Sequence, residues 1–329
     1  MESGDFLQVF RQTAAPSGRL SFEAFMRLAL FEPGIGYYAT TRPRVGKGAG
    51  TDFFTSTSVG PLFGELVAAA SAKLLRARGV SPKDYTFVEI GAEPGSGILQ
   101  SAVHPFAGAR ILRLGEALEL SGPCVVFSNE LFDAQPCRHL VRRGGQWLEL
   151  GVEEDKGSLR ECALYPVFGD WLPTEAPEGY IFDAPREAAT LAGRLAAQPW
   201  EGLFIAMDYG RSWHELAEAA PSGTLRAYHQ HHQSNALLER PGEQDLTCHV
   251  CWDWIREALL GAGCESTALQ SQEAFFVHHA GDFIGTALAA EGGGFSSRKR
   301  SLMQLLHPAH MGQKFQALHA WKSPGTATP

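Results

Sequence analysis

Two short stretches carry the residues best suited to chemistry. In "FVEIGAEPGSG", an apolar run ends at Ile90, and Gly91, Gly95 and Gly97 allow the backbone to turn sharply and approach a ligand. Within that run Glu89 offers a carboxylate to a cationic or hydroxylated group. In "VVFSNELFDAQP", a second apolar run delivers Asn129 and Glu130 to the end of a strand, with Asp133 one helical turn later. An amide and a carboxylate placed there can orient a planar nitrogen nucleophile and take up its proton. "IAMDYG" repeats the arrangement with Asp208. Each stretch also has a plainer reading. Glycine turns serve steric ends, Ser128 or Asn129 can cap a helix starting at Glu130, and Asp208 can be a turn carboxylate.

Other candidates are weaker. "RAYHQHHQ" crowds His229, His231 and His232, and "FFVHHAG" adds His278 and His279, but neither spacing suits a metal cage, so surface or substrate-facing histidines are expected. Cys248 and Cys251 form one Cys-x-x-Cys with no second pair, which argues against zinc and against a redox motif. No Gly-x-Ser-x-Gly elbow and no Gly-Lys-Ser/Thr phosphate loop occurs, so acyl-serine chemistry and nucleoside triphosphate hydrolysis rank low. A formal charge of -8, from 28 basic and 36 acidic residues, argues against a broad nucleic-acid surface. The basic stretches "TRPRVGKG" and "SSRKRS" read as solvated loops. Six cysteines in so long a chain suit reduced thiols, and no apolar run is long enough for a membrane helix, so a cytoplasmic protein without membrane insertion is expected.

These residues need elements to hold them. "LSFEAFMRLALF" predicts a helix capped by Ser21, and "PLFGELVAAASAKLLRARG" one that starts at Pro61 and stops at Gly79. Apolar runs in "YTFVEIG", "ARILRLG", "PCVVFSNE" and "GLFIAMDYG" predict buried parallel strands whose carboxyl ends carry chemistry. Residues 149–182 suit antiparallel strands or an irregular insertion. "PREAATLAGRLAAQPW" and "WDWIREALLGAG" predict helices, "EGGGFSSRKRS" a flexible loop, and "SLMQLLHPAHMGQKFQALHAW" a closing helical pattern broken at Pro308. Strands alternating with helices give an α/β fold, a Rossmann-like doubly wound and mostly parallel sheet with an N-terminal helical cap and inserted and C-terminal elements.

In order along the chain, "FEAFMRLALFEPGIGYY", "TDFFTSTSVGPLFGE", "VEIGAEPGSG", "SNELFDAQP", "MDYG", "GTLRAYHQHH", "PGEQDLTCHV" and "HPAHMGQKF" resemble the MidA-like methyltransferases, a family that includes the mitochondrial complex I assembly factor that methylates an arginine. The resemblance runs from Ser21 to about Phe315. It implies a class I S-adenosylmethionine-dependent methyltransferase with a seven-stranded sheet, residues 1–80 as a helical cap and 81–329 as the core. It also implies a protein substrate, with arginine as the methyl acceptor and a respiratory complex subunit or a homodimer among the candidate partners. By the same resemblance Glu89, Gly91, Gly95 and Gly97 would cradle the methionine end of S-adenosylmethionine, with Asp52, Thr55 and Ser56 closing over it. Asn129, Glu130, Asp133 and Asp208 would serve catalysis, with Tyr209, Arg226 and Asp245 near the acceptor.

Two departures bear on the cofactor. Ala92 and Glu93 are inserted in the glycine turn, which sets a carboxylate where the cofactor's own carboxylate would sit, and like charges repel. Only 31 residues separate Gly97 from Asn129, one strand too few. Either the second strand and its ribose carboxylate are missing, or "ARILRLGE" is that strand, Glu116 is the ribose ligand and the third is gone. Both alternatives reduce the adenosyl side of the pocket, and a chain that kept the fold for binding or assembly alone is the rival reading.

Overall fold

The computed structural model describes residues 3–40, 44, 59–291 and 296–325; Asp52, Thr55 and Ser56 lie outside them. The chain opens with α1 (Ser3–Ala14), β1 (Arg19–Ser21) and α2 (Phe22–Phe31). As expected, the Ser21 hydroxyl caps α2 by accepting from the Ala24 amide. Next come α3 (Pro61–Ala77), β2 (Thr86–Ile90), β3 (Gly108–Leu112) and β4 (Gly122–Asn129). The antiparallel insertion expected over 149–182 starts earlier, with β5 (Arg138–Arg143), β6 (Gln146–Asp155), β7 (Ser158–Val167) and β8 (Ile181–Ala184). After α4 (Arg186–Ala196) and β9 (Trp200–Asp208) lie β10 (Gly210–Arg211) and α5 (Trp213–Glu218). Short strands β11 (Arg226–His229), β12 (His232–Ser234), β13 (Asp245–Thr247) and β14 (Val250–Cys251) lead into α6 (Trp252–Gly261). The last elements are β15 (Ser266–Ser271), α7 (Gln272–Ala290), α8 (Ser297–Leu306) and β16 (Gln316–Lys322).

The central sheet has the order β15-β16-β9-β4-β2-β3. Strands β3, β2, β4 and β9 are parallel, while β16 is antiparallel to both β9 and β15. Its two faces follow from the period-two alternation of a strand. Phe87, Val125, Phe127, Leu203, Ile205 and Met207 pack on one side with α3, α7 and α8. Val88, Ile90, Val126, Phe204 and Ala206 pack on the other with α4 and α6. The sheet is therefore doubly wound, as the spacing of apolar runs predicts. A second sheet, β1-β6-β5-β8 with β7 on β6, is antiparallel. The apolar faces of α1 and α2 pack on it and on β11 and β13, through Phe6, Phe10, Phe25, Val152, Leu225 and Leu246.

Several expectations are corrected. The strand "ARILRLGE" pairs in parallel directly with β2, Ile90 against Leu112, so it holds the second position. Beyond it, among the described residues, the sheet ends, so the third strand is the one that is gone. The connection from β2 to β3 contains no helix; residues 91–107 make only turns and bends, and that length suffices for a parallel return. Residues 297–301 of the expected loop are helical and run into the predicted helical stretch after them, because Ser296 caps α8 by accepting from Lys299 N–H. The end of the closing helical pattern is instead β16, an interior strand apolar on both faces, whose composition matches that of a buried helix.

Candidate active site

At the carboxyl end of β2, Glu89 is buried and its carboxylate accepts from the Ile98 amide at 2.8 Å. Burial pushes this carboxyl up to about 7, against the opposing pull of the Ile98 amide and Arg113. The glycine turn folds tightly over it. A Cβ on Gly97 would lie 2.4 Å from Ile111 Cδ1 and 3.4 Å from Glu89 Oε2, so glycine lets the turn sit directly against Ile111 beside the carboxylate. Helix α3 presses on the same turn: a Cβ on Gly64 would fall 1.8 Å from the Ile98 carbonyl oxygen. Gly91 and Gly95 sit at φ of 81° and 74°, the left-handed region that glycine enters without strain.

The inserted Glu93 is not an unpaired charge. Arg44, only 2% exposed, holds it at 3.1 Å, and donates in addition to the carbonyls of Tyr37 and Thr40 at 2.9 and 2.8 Å. Arg44 also lies within 6 Å of the Tyr37 and Tyr38 rings. This corrects the reading of its basic stretch as solvated at Arg44, and it gives Glu93 a buried cationic partner. Glu116, the ribose candidate, stands in the turn after β3, exposed, with its carboxylate accepting from the Arg113 amide at 2.9 Å.

At the carboxyl edge of the neighbouring strand, β4 ends at Asn129, and Glu130 follows with φ of 50°, a strained value for a side chain of this size. The amide of Glu130 donates to the Met207 carbonyl of β9, which holds the distorted residue against its neighbour strand. Asn129 Nδ2 donates to Glu130 Oε1 at 2.8 Å, and Asn129 Oδ1 is buried with no hydrogen-bond partner among the described residues. Asp133 is buried; desolvation and the nearby Asp208, Glu130 and Asp245 carboxylates hold its pKa well above the usual range. Asp245 accepts from the Tyr38 hydroxyl at 2.9 Å. The phenols of Tyr209 and Tyr228 face the same carboxylates and are raised by burial and by them. Tyr209 packs its ring 4.1 Å from that of Phe315.

Asp208 has the contacts of a turn carboxylate. It is fully buried and accepts from the amides of Phe132, Asp133 and Tyr209 at 2.9, 3.2 and 2.8 Å, so it shapes the segment that carries Asp133. Burial raises it to about 7 despite those amides. The histidine cluster forms the β11–β12 hairpin. Gln230 and His231 occupy its two-residue turn with positive φ, and His231 and His232 are exposed. Cys248 lies not with Cys251 but beside Cys137, with sulfurs 3.2 Å apart, a pair 111 positions distant in the sequence. No group of three or more His, Cys, Asp or Glu side chains suited to a metal is found among the described residues.

Glycine turn, parallel sheet and an Asn-Glu pair at its carboxyl edge define a class I methyltransferase architecture. The chain belongs to the family described as "Putative S-adenosyl-L-methionine-dependent methyltransferase", whose model matches residues 97–270, and its motifs are those of the MidA-like branch. It is 26% identical to the protein arginine methyltransferase NDUFAF7 homolog, mitochondrial, of Drosophila melanogaster, over 77% of this chain and 69% of that protein. It is 25% identical to NDUFAF7 of Danio rerio, over 73% and 68%. A Burkholderia thailandensis protein bound to S-adenosyl-homocysteine superposes with a TM-score of 0.84 at 24% identity, over 99% of this chain and 94% of that one, a likeness of fold.

Proposed function

We propose that this protein transfers a methyl group from S-adenosylmethionine to a nitrogen of a protein side chain, and that the acceptor is arginine. The observation that carries the reading is the Asn129–Glu130 pair. A buried, unpartnered carbonyl oxygen and a carboxylate fixed at a strained φ are both hydrogen-bond acceptors, and a guanidinium supplies only donors. The raised pKa of Asp133 records how closely Asp208, Glu130 and Asp245 crowd it, a repulsion that a bound cation would relieve. The relatives named above as arginine methyltransferases support the same acceptor.

The cofactor supplies a methyl group activated on a sulfonium. Glu89 with Gly91, Gly95 and Gly97 would hold its methionine end, Glu116 its ribose, and Asp52, Thr55 and Ser56 would contact it from the N-terminal side. Residues 1–80 would then act as a cap on the core of residues 81–329. Glu130 would orient the guanidinium and accept the proton that nitrogen sheds as it becomes a nucleophile. Asp133, whose proton is strongly held, would serve as a donor rather than a base. Asp208 positions Asp133 through the amides it binds.

The test is transfer of labelled methyl from S-adenosylmethionine into arginine-containing proteins, followed by hydrolysis and identification of the labelled amino acid. Methylarginine should form, and Glu130→Gln should lower kcat by about 10²-fold or more while leaving cofactor binding near wild type. Label found only in another amino acid, or an unaffected Glu130→Gln enzyme, refutes the assignment.

A further inference from the structure

Beyond the acidic centre lies a cavity of about 200 Å³ with the opposite electrostatics. Arg211, Arg226 and His249 line it together with the loop Ala219–Thr224. Strand pairing brings the two arginines there from separate parts of the chain: β10 pairs with β14, Arg211 against Cys251, and β11 pairs with β13, Arg226 against Thr247. The guanidinium of Arg211 donates through Nε to His249 Nδ1 at 3.2 Å, and Arg226 donates to the carbonyls of Gly223 and Leu225. Neither arginine forms an ion pair among the described residues.

The acidic groups nearest to hand are already committed. Glu215 binds the amide and hydroxyl of Ser212, and Asp183 binds His139 and the amides of Thr224 and Leu225. Because an arginine can only donate, Nδ1 of His249 is the unprotonated nitrogen, and the ring offers Nε2–H as a further donor. Burial and the two guanidinium groups push this ring down to about 4, so it stays neutral at physiological pH.

Two arginines and a histidine line one cavity, and neither guanidinium has an ion-pair partner among the described residues, a donor set suited to an anion. We propose that the cavity binds an oxyanion, carboxylate or phosphate, carried by the molecule to be methylated. This placement rests on the acceptor reading above. Tyr209 lies two residues before Arg211, and Tyr228, two residues after Arg226, pairs with Asp245, so the anion site borders the acceptor centre. Acid-rich and base-rich pockets side by side would align an acceptor bearing a cationic target and a nearby anionic group.

The full chain, with histidine rings isotopically labelled, is titrated by NMR with sodium phosphate and separately with sodium acetate, each against sodium chloride at matched ionic strength. Saturable movement of the His249 resonance with phosphate or acetate, absent with chloride, is expected. The anion that saturates at lower concentration identifies the group the cavity prefers. Arg226→Gln and Arg211→Gln should each weaken that binding about tenfold or more. No saturable movement with either anion in the wild-type chain overturns the proposal, whatever the variants do. Saturation in a protein that transfers no methyl group leaves the anion site standing and removes its link to an acceptor.

Discussion

Glu89 shows how burying one carboxyl makes stability depend on pH. Its carboxyl titrates near 4.5 when solvated and at about 7 in the fold, because burial disfavours the charged form. Below about pH 4 both states hold the proton and the shift has no effect on stability. Between about 4.5 and 7 the unfolded chain loses its proton first, so stability falls as pH rises; above 7 the full penalty remains. A shift of this size is worth about 3 kcal/mol. Glu89→Gln is therefore expected to stabilise the protein by about that amount at pH 8 and not at pH 4, read from urea denaturation at the two values. The same change should weaken S-adenosylmethionine binding by calorimetry, because a carboxylate kept despite its cost is one that a cation can recover.

Helix α3 and the glycine turn meet without a side chain between them. Gly64 in a helix costs about 1 kcal/mol relative to alanine by propensity, yet alanine there would strike the Ile98 carbonyl. Gly64→Ala should destabilise by about 1–3 kcal/mol through overpacking. It should also raise the dissociation constant for S-adenosylmethionine, since Ile98 holds Glu89; calorimetry and denaturation on the same preparation check both effects. At the junction of β5 and β8, His139 Nδ1 lies 2.5 Å from Asp183 Oδ1 and its ring packs on Phe22 of α2. Burial alone would lower its pKa, but the charge and hydrogen bond of Asp183 outweigh it, with Glu161 contributing, and raise it to about 10. The stability so gained is fully present below about pH 6.5 and is lost as pH rises through 10. Denaturation midpoints of the wild type should therefore decline between pH 7 and 10.5, and those of His139→Gln should start lower and change less.

For the whole molecule, the separating observation is whether the six-stranded sheet still binds a cofactor. A ligand that binds only the folded state stabilises it by mass action, about 2.7 kcal/mol at a hundred times its dissociation constant. S-adenosylmethionine or S-adenosylhomocysteine at that excess should raise the melting temperature by several degrees. No rise at millimolar cofactor would favour the binding or assembly reading of the fold over catalysis. The charge distribution belongs to this scale as well: Tyr228 senses both the carboxylates of Asp133 and Asp245 and the guanidinium of Arg226, and no described helix is long and apolar enough to cross a membrane.

What the order of residues determined unaided was everything governed by near neighbours. Four parallel strands were legible because each is a short apolar run closed by a polar residue, and two helices because proline, serine and glycine sat at their ends. The position of Asn129, Glu130 and Glu89 at strand ends was legible too, and it makes them candidates because strands of an α/β sheet present their carboxyl ends to ligands. Tertiary structure decided the rest, since contacts between distant segments leave no local trace. Arg44 finds Glu93 across 49 positions, Tyr38 finds Asp245 across 207, and the Cys137–Cys248 contact spans 111. Whether the strand after the glycine turn was second or third depended on its partner in the sheet, and β16 reads as helical in sequence because an interior strand is apolar on both faces. Only the folded chain brings Arg211 and Arg226 to one cavity, because it takes two separate strand pairings to carry them there.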